Sequence, residues 1–173
     1  MNLRTEILKE NSKANSIRIT SWIGDDRKKF DQLVQLFLND EYRVVQRAAG
    51  MISRIAEQHP NLLQPYLTQL IKKANETNIP VAVKRNVVRL MQFIDIPTDV
   101  QGDTMELCFK LLSDPAETVA VHCFSMSVLF NLSKIYPDIK PELKIVIEEH
   151  MQHPVTAGFL SRAKKVLAKI RLF

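Results

Sequence analysis

Glycine, cysteine and long apolar runs are all scarce in this sequence of 173 residues. The 4 glycines and 8 prolines are too few to give every hairpin of a β-sandwich its own turn residues, so a turn-rich all-β fold is excluded. The cysteines, Cys108 and Cys123, supply no disulfide framework and lie in apolar helical surroundings that favour buried thiols. No stretch reaches the roughly 18 apolar residues that span a bilayer, and the first residues lack a secretory signal pattern. We therefore expect a cytoplasmic protein that makes no membrane contact.

Motifs that would indicate an enzyme or a cofactor are also missing. The scattered glycines cannot form a phosphate-binding loop, and no Cys-x-x-Cys pair is present. His150 and His153 have a metal-like spacing, but His153 precedes Pro154 at a predicted helix end, and no acidic residue or cysteine completes a ligand set. His122 adjoins Cys123, and neighbouring helical residues point in different directions, so they cannot form a nucleophile–base pair. The sequence predicts no catalytic residue, cofactor, metal site or small-molecule substrate.

What the sequence does contain is a series of helical segments separated by prolines. Each segment has apolar residues at positions i, i+3, i+4 and i+7, the spacing of a helix with one buried face. The segments form pairs, and the predicted first helices are Arg27–Asn39, Asn61–Asn75, Thr98–Ser113 and Asp138–His150. The predicted second helices are Glu41–Gln58, Val81–Ile94, Ala116–Ile135 and Val155–Leu172. Asp25 is a predicted N-cap of the first pair, because its carboxylate can accept backbone N–H groups.

The second helices repeat with a fixed period. "RVVQRAAGMISRIA" begins at Arg43, "VAVKRNVVRLMQFI" at Val81 and "VAVHCFSMSVLFNL" at Val119, an offset of 38 residues each time. A fourth copy begins at Thr156, one residue out of step. Recurrence of a two-helix unit is typical of an α-solenoid, because one hairpin cannot bury its own apolar stripe. Residues 1–24 add a shorter helical pair, which we expect to cover the first repeat.

At this point the chain resembles HEAT repeats, with armadillo arrays as close relatives. The matching elements are an acidic or amide residue at the turn inside each repeat (Asp40, Asn78, Asp114), then a valine, then small or branched residues one turn later. The segment "DEYRVVQRAAGMI" shows this pattern best. The resemblance implies an all-α, right-handed α-α superhelix in a single domain, 1–173. Its predicted parts are an N-terminal cap, 1–24, and four HEAT-like repeats, 25–60, 61–97, 98–137 and 138–173.

Charge is concentrated in the second helices. They sum to +9, although the whole chain has a net charge of +5. In HEAT-like arrays the second helices usually line the concave face, so the resemblance implies a basic concave surface. Its predicted partner-binding residues are Arg43, Arg47, Arg54, Lys84, Arg85, Arg89, Arg162, Lys165 and Lys169.

Three interpretations of this basic surface are open. The cations can simply coat a solvated helix face, since lysine and arginine cover apolar surface with their stems. They can instead attract an acidic protein partner or a nucleic-acid backbone. We predict a non-enzymatic scaffold or adaptor with an acidic protein partner. The alternative is a nucleic-acid-binding protein related to the HEAT-like DNA glycosylases of alkylation repair, although the second helices lack the tryptophans that such enzymes use.

Overall fold

The computed structural model describes residues 1–171, and this part of the chain contains α-helices, short 3-10 turns and no strand. The all-α prediction is confirmed. The first six helices are α1 (Leu3–Lys9), α2 (Lys13–Ile23), α3 (Arg27–Asn39), α4 (Tyr42–Gln58), α5 (Leu67–Asn75) and α6 (Val81–Leu90). The next four are α7 (Thr98–Ser113), α8 (Val119–Leu132), α9 (Lys140–Met151) and α10 (Ala157–Ile170).

The helices gather into two compact units. Unit 1 comprises Met1–Pro97, and unit 2 begins at Thr98. In both units each second helix packs on its own first helix and on the next second helix, so α4 contacts α6 and α8 contacts α10. First helices also contact first helices, α3 with α5 and α7 with α9. This two-layer stacking is the arrangement expected of helical repeats. The single domain, its repeat bounds and its right-handed winding stay predictions.

The core of each unit follows the predicted apolar stripes. In α4 the fully buried side chains recur at helical spacing and include Val44, Ala48, Ile52 and Ile55. Helical spacing likewise buries Val83, Val87 and Leu90 in α6, and Val121, Ser125 and Leu129 in α8. Because burial removes apolar area from water, these stripes hold the stacked layers together.

Helix ends differ from the sequence predictions at several places. Asp26, not Asp25, is the N-cap of α3, and its carboxylate accepts the backbone N–H groups of Lys28 and Lys29. The predicted helix Asn61–Asn75 is wrong in its first half, where Pro60–Leu62 and Gln64–Tyr66 are 3-10 turns. Pro65 lies in the second of these turns and has no N–H to donate to a regular α-helix.

The second helices are shorter than predicted at several ends, while the predicted end of the last one, Leu172, lies outside the described residues. α6 ends at Leu90 rather than Ile94, because Gln92 and Phe93 bond to carbonyls three residues back and tighten the last turn. α8 begins at Val119 rather than Ala116, because Asp114 accepts the N–H of Ala116 through its side chain and forms a local turn.

The N-terminal helix pair packs against α4. α2 ends at Gly24, which has a φ of +54° that residues with a Cβ rarely adopt. The carbonyls at the end of α1 are bonded by side chains from other helices: Asn15 from α2 donates to Glu6 and Glu10, and Arg47 from α4 donates to Ile7 and Leu8. α1 is therefore fixed to unit 1 by polar contacts as well as by the buried Leu3 and Ile7.

Candidate partner-binding surfaces

The predicted partner-binding residues fall on two surfaces, one in each unit. We call Arg43, Arg47, Arg54, Lys84, Arg85 and Arg89 the α4/α6 basic face, because these residues lie on α4 and α6. We call Arg162, Lys165 and Lys169 of α10, together with Lys134 just after α8, the α8/α10 basic face.

Two arginines of the α4/α6 basic face are held by unit 1 itself. Nη1 of Arg47 donates to the carbonyl oxygens of Ile7 at 2.8 Å and Leu8 at 3.1 Å. These are acceptors that the last turn of α1 leaves without helical partners, and a cation is favourable at that negative end of the helix dipole. Arg89 forms an ion pair with Glu57 of α4. Both guanidinium groups therefore contribute to packing inside unit 1.

The other cations of this face differ in exposure. Arg43 and Arg85 are exposed, whereas Lys84 and Arg54 are partly buried. The Nε atom of Arg54 is buried, with no hydrogen-bond partner among the described residues. The side chains most available to a partner on the α4/α6 basic face are therefore Arg43 and Arg85.

No carboxylate of the described residues neutralises the α8/α10 basic face. Lys165 and Lys169 are exposed, and Arg162 is partly buried, with Nη1 donating to Ser127 Oγ of α8 at 2.6 Å. Residues 155–171 contain no Asp or Glu, and no ion pair reaches these cations within the described part of the chain. At 1.5 Å of rise per residue, Arg162 to Lys169 extends over about 10 Å of helix.

Two of these ammonium groups share one aromatic ring. Nζ of Lys134 lies 4.9 Å from the centre of the Phe130 ring, and Nζ of Lys169 lies 5.7 Å from it. Each distance is within the range of a cation–π contact. Lys134 also donates weakly to Asn131 Oδ1, at 3.4 Å. Lys134 was not among the predicted site residues, because it approaches α10 only in the folded unit.

The cysteines offer no reactive centre. Complete burial raises the pKa of Cys108 to about 12, so it is a thiol at neutral pH. Burial also raises the pKa of Cys123, although the positive charge of Arg162 opposes that shift. Cys108 is therefore the buried thiol that the sequence predicted, whereas Cys123 is only partly buried.

Two kinds of functional feature are absent from residues 1–171. Within this part of the chain no three or more His, Cys, Asp or Glu side chains are grouped so that they could hold a metal ion. None of the described helices combines the length and the apolar character that crossing a bilayer would take.

The family model of the HEAT repeat domain matches residues 3–170. This chain belongs to the HEAT-repeat family. The family prediction is therefore confirmed, and it agrees with the stacked helical pairs of both units. Neither curated proteins nor solved structures gave a significant match. HEAT repeats are helical-repeat scaffolds that typically mediate protein interactions and generally have no enzymatic activity.

In this HEAT-repeat protein the family's turn residues have three different roles. Asp40 accepts hydrogen bonds from Arg4 of α1, Asn78 adopts a left-handed backbone with φ 61°, and Asp114 accepts the N–H of Ala116. Asparagine tolerates that backbone region better than most residues because its short side chain bonds locally. One sequence pattern thus serves three local structures.

Proposed function

We propose that this protein is a non-enzymatic scaffold that binds an acidic protein segment on the basic faces of its second helices, mainly on the α8/α10 basic face. The observation that carries the proposal is the pair of ammonium groups of Lys134 and Lys169 around the Phe130 ring. No carboxylate of the described residues neutralises these two positive charges, so an anionic group of a partner has a favourable place to bind beside them.

The spacing of the cations suits a helical or extended acidic segment. Arg162, Lys165 and Lys169 follow one another at three and four residues along α10, so they form one stripe. A partner with carboxylates at a similar spacing can pair with all three. The partly buried guanidinium of Arg162, held by Ser127, presents a fixed donor, which suits recognition of a carboxylate.

The aromatic residues favour a protein over a single-stranded nucleic acid. Single-strand binding surfaces stack bases on exposed aromatic rings. Phe130 is the aromatic ring of this face, and it is only 9% exposed and already lies beneath two ammonium groups. Phosphate binding then rests on charge alone, which predicts weak and strongly salt-dependent association with nucleic acid.

The test is a binding titration of the whole protein with a fluorescent peptide containing glutamates at helical spacing. A labelled DNA duplex is titrated in parallel, at low and at moderate salt. We expect the peptide to bind and the double variant Lys165→Glu/Lys169→Glu to weaken it about tenfold or more. The matched control is Lys140→Glu/Lys144→Glu on α9, which changes net charge equally but leaves the α8/α10 basic face intact.

Three results would contradict the proposal. In the first, both double variants weaken peptide binding equally, which would show that only the net charge of the protein matters and not the α8/α10 basic face. The second is the absence of peptide binding at low salt. The third is tight duplex binding with a steep salt dependence and no peptide binding, which would favour the nucleic-acid alternative.

A further inference from the structure

Two histidines that are far apart in the sequence meet at the end of α7 in unit 2. Nε2 of His122, in the first turn of α8, lies 2.8 Å from the carbonyl oxygen of Asp114. Nε2 of His150, in the last turn of α9, lies 2.5 Å from the carbonyl oxygen of Leu112. In the sequence His150 stands near His153, and His122 stands next to Cys123. The spacing of the histidines therefore does not indicate that His122 and His150 meet.

The hydrogen bonds fix the tautomer of both rings. A carbonyl oxygen only accepts, so Nε2 must carry the hydrogen in each histidine. In the neutral ring the lone pair is then on Nδ1, and the described residues show no hydrogen bond to either Nδ1 atom. Histidine ligands of metal ions have this arrangement: the second nitrogen donates to a backbone carbonyl or carboxylate and so orients the ring.

The separation of the rings also suits a shared ion. The ring centres of His122 and His150 lie 4.7 Å apart, with 55° between the ring planes. Two imidazoles bound to one tetrahedral ion, with metal–nitrogen bonds of about 2.0–2.1 Å, have their ring centres about 5 Å apart. The ring separation is therefore close to the one that joint coordination requires.

Both rings line one cavity of about 300 Å³ between the α7–α8 turn and the start of α10. His122 is 6% exposed, and the ring of Phe159 packs 5.3 Å from His150 and 6.3 Å from His122. His153 and Glu117 lie on the same cavity. This space beside two oriented imidazoles leaves room for an ion and its water ligands.

We propose that His122 and His150 form a two-histidine site for a late first-row divalent ion such as Zn²⁺, Ni²⁺ or Cu²⁺. Nδ1 of each ring is the ligand atom, and water completes the coordination. Imidazole suits these ions better than it suits Mg²⁺ or Ca²⁺. The bound ion would join the start of α8 to the end of α9 and stabilise unit 2. This proposal departs from the sequence-based expectation of no metal site and is independent of the proposed function.

The test is isothermal titration of the untagged whole protein with ZnCl₂, and separately with NiCl₂ and CuCl₂. We expect one ion per chain and a metal-dependent rise in melting temperature, because an ion that binds only the folded state stabilises it. His122→Gln and His150→Gln should each weaken binding about tenfold or more. Glutamine retains an Nε2 amide donor for the carbonyl but has no Nδ1 lone pair.

The controls separate this site from adventitious binding. His59→Gln in unit 1 and Cys123→Ser should leave the affinity unchanged, and His153→Gln should weaken it less than either principal variant. Electron paramagnetic resonance of the Cu²⁺ complex should show coupling to imidazole nitrogen that disappears in the His122→Gln/His150→Gln double variant. Absence of binding by all three ions, or wild-type affinity in both single glutamine variants, would overturn the proposal.

Discussion

The two units bury their stripes in the same way but use their second-helix cations differently. In unit 1, Arg47 bonds to the end of α1 and Arg89 pairs with Glu57. In unit 2, Lys165 and Lys169 stay exposed, and α10 contains no acidic residue. A cation on a repeat helix is therefore structural where neighbouring residues supply acceptors for it, and is available to a partner where they do not. The net charge of a helix does not distinguish these two cases.

The largest expected effect tests whether the two units are separate cooperative structures. Phe30 of unit 1 is fully buried and packs edge-on against Tyr66 at 5.9 Å, whereas Phe159 of unit 2 is 2% exposed. Replacing either by alanine should cost about 3–5 kcal/mol, from lost burial and the cavity left behind. Amide hydrogen exchange should show each variant losing protection mainly in its own unit. Equal loss of protection in both units would contradict the division.

The second prediction separates structural from available cations within unit 1. Arg47 and Arg85 occupy equivalent positions in α4 and α6, but only Arg47 bonds to backbone carbonyls. Arg47→Glu should destabilise the protein by about 2 kcal/mol or more, because it removes charge-assisted hydrogen bonds and places a carboxylate at the negative end of α1. Arg85→Glu should change stability by less than about 0.5 kcal/mol. Urea unfolding measures both, and equal midpoints would show that the Arg47 contacts contribute little.

The third prediction compares the two basic faces as binding surfaces. Arg43→Glu/Arg85→Glu removes the exposed cations of the α4/α6 basic face, and Lys165→Glu/Lys169→Glu removes those of the α8/α10 basic face. Affinity for the glutamate peptide should fall about tenfold, or about 1.4 kcal/mol, in the second variant and by less in the first. If the unit 1 variant loses more affinity, the main binding surface is the α4/α6 basic face.

The smallest expected effect concerns acid stability in unit 1. Hydrogen bonds from the Arg4 guanidinium hold the pKa of Asp40 below its ordinary value. A carboxyl whose pKa is lowered by folding stabilises the protein above the ordinary value of about 4, and that stabilisation is lost as the pH falls through the folded-state pKa. Urea midpoints should therefore fall less between pH 5 and pH 3 in Arg4→Ala than in the wild type. Because Arg4 is nearly half exposed, the difference should be small.

Local signals explain which parts of the fold were predictable. α3 and α7 have the predicted bounds, because apolar spacing and turn residues act within a few positions. The early end of α6 and the 3-10 turns before α5 were missed, since a short tightened turn and a continuous helix have nearly the same residue pattern. Arg162, Lys165 and Lys169 could be grouped from helical spacing alone, whereas Lys134 could not.

By itself the sequence determined the all-α class, the 38-residue period and the HEAT-repeat family, because periodic burial is a local property repeated along the chain. Only the tertiary structure decided which polar side chains meet. Arg47 reaches carbonyls 39 and 40 residues away, and His122 meets His150 across two different helices. Such contacts depend on how layers of helices stack, since stacking brings together side chains with no fixed spacing in the sequence.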